Sequence, residues 1–222
     1  MDTTSVIALI VIAVVLVGLL GVINFALESR RRESFKQVAL PLGLSYAATN
    51  PALIRKYRFL DKLRQGLSGS VRDILSGIYR GHPVHAFNYQ FTKPLRLGNG
   101  ASIRHESCFL LEQDRRFPEL RIYPVTMAEK AKRVLGLNDI TMDAIEFSQA
   151  FIVRAKDREF ATTVLHPRMM AFLLRHPGLS LEIDDTTLSI TLEQRLEPDT
   201  VRTNLDTLIQ IRQLMPEHLY PS

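Results

Sequence analysis

Residues 6–23 read VIALIVIAVVLVGLLGVI, an apolar run that residues 24–27 (NFAL) extend. A helix rises about 1.5 Å per residue and the hydrocarbon core of a bilayer is roughly 30 Å thick, so a run of this length crosses it once its flanks are included. Inside lipid the backbone has to satisfy its own hydrogen bonds, which favours a helix. This stretch therefore predicts one transmembrane anchor at residues 1–28.

A cleaved signal peptide is the alternative explanation for an apolar run in this place. Signal peptides carry basic residues before the run, have a shorter apolar stretch and end in a small-residue cleavage pattern. Residues 1–4 (MDTT) contain no lysine or arginine, and the run ends in NFA. These features favour an anchor that is retained, as in a signal-anchor protein.

Basic residues follow the apolar run closely and none precedes it. They are Arg30, Arg31, Arg32 and Lys36. The positive-inside rule then predicts a cell (cytoplasmic) membrane protein with its N-terminus outside and its large domain in the cytoplasm. A cation near an anionic leaflet gains about 1 kcal/mol, so these residues are the predicted membrane-surface contacts. Setting the topology would by itself also account for them.

Charge and cysteine content limit the classes of partner. Asp2 is the only charged side chain before Glu28, so all 28 lysines and arginines lie in the rest of the chain, where they only modestly exceed the acidic residues. A dedicated nucleic-acid-binding domain carries a dense basic stripe, so no nucleic-acid partner is predicted. Cys108 is the single cysteine and can form no disulfide within the chain, which is compatible with a reducing compartment.

The rest of the sequence indicates an α+β domain with an antiparallel sheet and packed helices. Helical patterns occur at 33–44, 50–67, 126–135, after Asp157, at 168–175 and after Pro198, and strand patterns at 73–80, 83–91, 107–112, 120–125 and 147–154. Residues 92–106 predict a loop or a long hairpin tip, and 113–119 a polar turn. Residues 179–183 and 188–192 alternate around Asp184, Asp185 and Thr186, which predicts a hairpin.

These patterns divide the chain into three parts. Residues 1–28 are the anchor, 29–47 a juxtamembrane amphipathic helix and 48–222 the cytoplasmic α+β domain. Two similar sub-halves within that domain remain an alternative. On the strand at 83–91, alternation predicts that His85, Phe87, Tyr89 and Phe91 share one face of the sheet.

The chain contains an ordered set of short motifs: ALPLGLSY (39–46), LSGIYRGHPV (75–84), FNY (87–89), FPELRI (117–122), LGL (135–137), FSQAF (147–151) and HPRMM (166–170). This set resembles a widespread group of prokaryotic, single-pass, membrane-anchored proteins whose shared domain has no assigned function. The resemblance covers nearly the whole chain and rests on the order of the motifs. It implies a prokaryotic cytoplasmic membrane and a common fold, and it brings no catalytic residues to carry over.

No catalytic residue, cofactor or metal site is predicted from the remaining candidates. His82 and His85 form H-x-x-H, but residues three apart on a strand point to opposite faces and no further ligands flank them. Cys108 lies among apolar residues without a base, as an inert buried thiol does. The aromatic stripe at Phe87, Tyr89 and Phe91 is more typical of a core than of base stacking.

Polar turn residues explain the other candidates. Asp184 with Asp185 and Asp139 with Asp143 are favoured in turns and connections, and residues 98–100 (GNG) lack the lysine and following helix of a phosphate-binding loop.

Three hypotheses of function follow. The first is a binding or adaptor module that holds a membrane or cytoplasmic protein partner at the bilayer. The second is a domain that senses anionic lipid headgroups or envelope state, motivated by the basic residues. The third is an enzyme assembled from scattered residues, which requires a pocket lined by His85, His105 or His166 with a carboxylate of shifted pKa.

Overall fold

The computed structural model describes residues 3–57, 69–94, 100–125 and 145–220. Helix α1 (Thr3–Ala39) contains both the apolar run and the basic residues that follow it. Within the described residues, one helix is long and apolar enough to cross a membrane, and it lies near the N-terminus. The predicted anchor and residues 29–39 of the predicted juxtamembrane helix are therefore parts of one uninterrupted helix, whereas residues 44–47 of that prediction belong to a strand.

The helix predicted to reach residue 44 ends earlier, at Ala39. A 3₁₀ turn at Leu40–Leu42 follows, because Pro41 has no backbone N–H with which to continue the α-helix. Gly43 then adopts a left-handed conformation with a φ of 70° and donates its N–H to the carbonyl of Leu40. This reversal directs the chain into the first strand.

Six strands form one antiparallel sheet. They are β1 (Leu44–Thr49), β2 (Gly69–Tyr79), β3 (His82–Pro94), β4 (Ala101–Pro124), β5 (Phe151–Ala155) and β6 (Leu179–Leu192). The first four pair in sequence order, and β4 also pairs with β5 and β6. The long strand β4 is therefore the centre of the sheet, with β3 and β5 along one edge and β6 along the other.

Five helices complete the described fold. They are α2 (Ala52–Lys56), α3 (Ile145–Ala150), α4 (Arg158–Val164), α5 (Pro167–Leu174) and α6 (Val201–Leu214). The side chain of Asp157 caps α4 by accepting from the N–H of Phe160 at 3.0 Å, and Pro167 occupies the first turn of α5, both as predicted. The helix predicted at 126–135 and most of the one at 50–67 lie outside the described residues.

The predicted hairpin at 179–192 is wrong, because β6 is one bent strand. Its two halves pair with the same neighbour, Leu181 opposite Ile122 and Leu188 opposite Leu111, with a register shift between them. The polar turn predicted at 113–119 is likewise a bend within β4. Asp185, at a φ of 54°, marks the bend in β6.

The strand predicted at 147–154 is also partly wrong. Its first half is helical and belongs to α3, and the strand begins at Phe151. Phe147 stacks on Phe151 with ring centroids 5.1 Å apart, a pairing that helical spacing permits and strand spacing does not. The α+β class with an antiparallel sheet is nevertheless the one predicted.

The sheet separates two hydrophobic cores. The larger core lies on the face that carries the end of α1, where Phe35 is fully buried together with Phe109, Leu120 and Leu208. The smaller core lies on the opposite face, where α2 packs over Phe87, Tyr89, Cys108 and Leu110. Successive residues of β3 alternate between the two cores, as the sequence predicted.

Candidate functional site

The predicted membrane-surface residues occupy the part of α1 that follows the apolar run. Arg30, Arg32 and Lys36 are exposed, and Lys36 forms an ion pair with Glu33 at 3.4 Å within the helix. The side chain of Arg31 differs, since only 13% of its surface is exposed. Contact with lipid headgroups stays a prediction for these residues, and for Arg31 the structure shows other partners.

Arg31 joins the membrane-proximal helix to two distant parts of the domain. Its Nε donates to the Asp73 carboxylate at 3.1 Å, and its Nη1 pairs with Glu197 at 2.8 Å. A third guanidinium nitrogen donates to the carbonyl of Leu196. The guanidinium also lies over the ring of Phe35, 5.0 Å from its centroid. All three nitrogens of the group and one of its faces are therefore engaged within the protein.

Asp73 is placed for this contact by a bulge in β2. It has a φ of 52°, and the pairing of β2 with β3 shifts register between Arg72 and Leu75. The bulge directs the carboxylate, which is 4% exposed, towards α1, where it also accepts from the hydroxyl of Tyr46 at 3.1 Å. Burial and this carboxylate raise the pKa of Tyr46. The result is a polar junction of α1, β1 and β2 that we call the Arg31 junction.

A second polar cluster lies on the opposite face of the sheet, around Glu112 of β4. The hydroxyl of Tyr57 donates to the Glu112 carboxylate at 2.9 Å, and Lys56 forms an ion pair with it. Nε2 of His85 lies 3.5 Å from the same carboxylate, while its Nδ1 is 2.7 Å from the hydroxyl of Ser76. This Glu112 cluster attaches the end of α2 to the sheet.

The charge states in this cluster follow from burial and neighbours. Burial and the Lys56 ammonium lower the pKa of His85 and outweigh the opposing carboxylate. Burial on its own would raise the pKa of Glu112, but the hydrogen bonds from Lys56 and Tyr57 overcome it, and the pKa is lowered. A neutral imidazole therefore lies beside an ionised carboxylate that already has two strong partners, which is the arrangement of a structural network.

An open cleft of about 420 Å³ lies beside the Glu112 cluster. It forms where β6 bends, and its walls are Lys56, Tyr57, Glu112 and residues 184–187. Asp184 and Asp185 therefore line a cleft at a strand bend, rather than the hairpin tip that the sequence predicts. Within the described residues, no group of three or more histidine, cysteine, aspartate or glutamate side chains could hold a metal ion.

The other predicted residues are placed as follows. Cys108 is a fully buried thiol in the smaller core, as expected. Phe87 and Tyr89 are buried there too, so the aromatic stripe is a core, as predicted. His82 pairs with Tyr79 at the start of β3 and does not join the Glu112 cluster. Asp139, Asp143 and Asn99 lie outside the described residues.

An ion-pair network on the far part of β4 was not predicted from the sequence. Nε of Arg121 contacts Glu182 of β6 at 2.9 Å, and Glu119 forms ion pairs with both Arg121 and Lys156. Glu182 is 5% exposed, and burial, with the charges of Asp184 and Glu119, raises its pKa to about 7 despite Arg121. In the sequence, Glu182 is distinguished only as a polar residue between the apolar residues Leu181 and Ile183. Any exposed strand residue has the same pattern.

Comparisons with known proteins bear on the fold. No family model matches this chain, and no curated protein matches it. Among solved structures, the chain is similar to the crystal structure of the mycobacterial trehalose monomycolate transport factor A, TtfA, with 14% sequence identity and a TM-score of 0.55. The match covers 84% of this chain and 95% of that chain. At this identity the likeness shows a common fold alone.

Proposed function

We propose that this chain is a membrane-anchored adaptor, in which α1 fixes a binding domain at the cytoplasmic face of the cell membrane and the domain holds a protein partner there. One observation carries the proposal: α1 continues without a break from its apolar run into the larger core of the domain, where Phe35 and Ala39 are buried.

The attachment fixes orientation as well as location. A domain that needs only to stay near a membrane can be joined by a flexible linker, which leaves its orientation free. Here the Arg31 junction and the stacking of Phe35 on Tyr46, with ring centroids 6.0 Å apart, attach the helix to β1 and β2. A fixed distance and orientation suit a surface that has to meet another component of the membrane.

The fold likeness supports an accessory role in a membrane process. The similar protein is described as a transport factor for trehalose monomycolate, and we extend from it to this chain only the role of an accessory protein, since folds host many functions. Membership of the widespread prokaryotic membrane-anchored group, suggested by the ordered motifs, is part of the same proposal.

Chemical cross-linking in native membranes tests the proposal. The tagged full chain is purified after cross-linking and its partners are identified by mass spectrometry, beside two matched variants. In the first, residues 6–23 are replaced by an unrelated apolar run of equal length. In the second, a flexible Gly/Ser segment is inserted between Leu27 and Glu28, which keeps the anchor and the domain but frees their relative orientation.

If the chain is an adaptor of this kind, the native chain and the variant with the replaced run both recover one partner in near-stoichiometric amount. The variant with the flexible insertion loses most of that partner. Recovery that requires the native run 6–23 contradicts the proposal, because the membrane helix would then be the binding element. Equal recovery with the flexible insertion contradicts it as well, and so does recovery no greater than that of an unrelated single-pass protein.

A lipid-responsive role is the second candidate. It is favoured by the exposure of Arg30, Arg32 and Lys36 directly after the apolar run, where an anionic leaflet attracts cations. The two roles are compatible, because a domain held at a fixed depth can contact lipid and protein with different surfaces.

A further inference from the structure

Three contacts show that α1 and β2 run in the same direction. Phe35 stacks on Tyr46, which is paired with Leu75 of β2. Arg31 forms an ion pair with Asp73, and the Glu28 carboxylate oxygen Oε1 lies 3.9 Å from Nη1 of Arg72. Moving back along α1 from Phe35 to Glu28 therefore corresponds to moving back along β2 from Leu75 to Arg72. The beginning of β2 consequently points towards the apolar run.

The hairpin formed by β3 and β4 extends further in that direction than β2 does. Gly69, the first residue of β2, pairs with Phe91, and the pairing of β3 with β4 continues to Pro94 opposite Ala101. At about 3.3 Å per residue, Gly69 lies about 10 Å beyond Arg72, and Pro94 about 10 Å beyond Phe91. A twist of about 20–25° between neighbouring strands shortens this reach without reversing it.

The end of this hairpin therefore lies past the level of Glu28, on the side of the apolar run. Glu28, the residue of α1 that pairs with Arg72, directly follows that run. In a bilayer the headgroup and interfacial regions add several ångströms on each side of the hydrocarbon core. A hairpin end past Glu28 on this side reaches at least the depth of those regions.

The chemistry of the hairpin end suits that depth. Lys93 and Arg104 are exposed, and Ile103 has 61% of its surface exposed. No aspartate or glutamate occurs between residues 92 and 105. A single exposed isoleucine means little on a soluble surface. Here it lies at the same end of the hairpin as two cations, on the opposite face of the sheet, and this element is directed at the bilayer. The combination of cations and an exposed apolar side chain is typical of interfacial membrane contacts.

We propose that the end of the β3–β4 hairpin, residues 92–94 and 101–104, is a second membrane-binding element of this protein. Lys93 and Arg104 bind anionic lipid headgroups, and Ile103 enters the outer part of the acyl chains. The occupant of this surface is the same bilayer that α1 spans. The proposal rests on the anchoring role of α1 and is independent of any protein partner.

Site-specific fluorescence in liposomes tests this contact on the full chain. Ile103→Cys is labelled with an environment-sensitive fluorophore, and Ile78→Cys is the matched control. Ile78 is 59% exposed and also lies on a strand, but on the side of Arg72 that points away from the apolar run. Cys108 is fully buried, so the unsubstituted chain should take up little label, which is checked directly.

In liposomes with anionic phosphatidylglycerol, we expect blue-shifted emission at position 103, with several-fold stronger quenching by bilayer-resident doxyl lipids than at position 78. Iodide in the aqueous phase should quench position 78 more strongly. Combining Lys93→Glu with Arg104→Glu should abolish the difference between the positions. Both side chains are exposed, so thermal unfolding of this variant should match that of the parent protein.

Two results overturn the proposal. Equal quenching of both positions by iodide places the hairpin end in water. Protection of position 103 from iodide without quenching by doxyl lipids shows that a second copy of the chain covers it. Since the samples contain only purified protein and lipid, either result leaves the adaptor proposal unaffected, and failure to find a protein partner leaves this contact unaffected.

Discussion

Arg31 and Arg32 are adjacent in the sequence, yet only Arg31 is held inside the domain. Arg31→Met leaves the carboxylate of Asp73 buried without its cation, and losing one partner of a buried ion pair typically costs about 3 kcal/mol. Arg32→Met changes an exposed side chain and should cost little. Thermal unfolding of both variants in detergent measures the difference. Equal midpoints for the two would contradict the Arg31 junction as a stabilising contact.

Glu182 gives the domain a predicted dependence on pH. Because burial raises its pKa from 4.5 to about 7, the folded protein binds more protons than the unfolded chain between these values, so its contribution to stability falls as pH rises through this window. Glu182→Gln removes the ionisable group, so above pH 7 the variant should be more stable than the parent, by about 3 kcal/mol at most. Unfolding midpoints at pH 5 and pH 8 test this. A variant that keeps the parent's decline between these pH values would refute the assignment.

Sequence reasoning at the scale of single residues succeeds where the partner is near in the chain. The cap at Asp157 was predictable because its partner is only three residues away. Arg31 binds residues 42 and 166 positions distant, and nothing in its local pattern distinguishes it from Arg30 or Arg32. The partners of Glu182 and Glu112 are distant in the same way.

At the scale of elements, β6 shows why periodicity alone misassigns a bend. Leu181 and Ile183 are odd-numbered, whereas Leu188 and Ile190 are even-numbered, and all four face the larger core. One extra residue in a strand produces this change of parity, as does a hairpin with polar residues at its tip. The alternation within β3 has no such change, and its two faces were predicted correctly.

The close approach of β1 to β2 makes Gly77 a sensitive position. A Cβ there would lie 2.8 Å from the carbonyl oxygen of Gly43 and 3.0 Å from a methyl group of Leu44. Gly77→Ala should therefore displace β1 and cost about 1–3 kcal/mol. Gly178→Ala is the matched control, since nothing lies within 4 Å of its Cβ position. Equal unfolding midpoints for the two variants would show that β1 can be displaced without loss of stability.

For the whole molecule, the rigid attachment of α1 predicts the result of lengthening it. Seven helical residues inserted between Leu27 and Glu28 add about two turns and about 10 Å. The domain therefore moves away from the bilayer with nearly the same rotation about the helix axis. The fluorophore at position 103 should then become accessible to iodide, while the unfolding midpoint stays unchanged. Continued protection in liposomes would mean that the hairpin depth is not set by α1.

Orientation across the membrane is a second prediction at this scale. The basic residues after the apolar run predict that the domain lies in the cytoplasm, so a fluorescent protein fused to the C-terminus should fluoresce. Alkaline phosphatase fused at the same point should stay inactive, because it requires export to an oxidising compartment. Active phosphatase with a dark fluorescent fusion would reverse the predicted topology.

The fold class and the apolar helix were predictable because both depend on average properties of long segments. An apolar run long enough for a bilayer is visible at once, and strands between turn residues indicate an antiparallel sheet. The candidate surfaces were not predictable in this way. The cleft beside Glu112 and the direction of the β3–β4 hairpin depend on strand register and on bends in β4 and β6, which emerge only when distant segments pair.

The unbroken α1 also makes the protein a lever. Its 37 residues form a rod about 55 Å long, attached at one end to the sheet. When the bilayer thins, a spanning helix tilts to keep its apolar length covered. Since no hinge separates α1 from the sheet, the whole domain rocks through the same angle, and a change in membrane thickness becomes a displacement of the surface farthest from the bilayer.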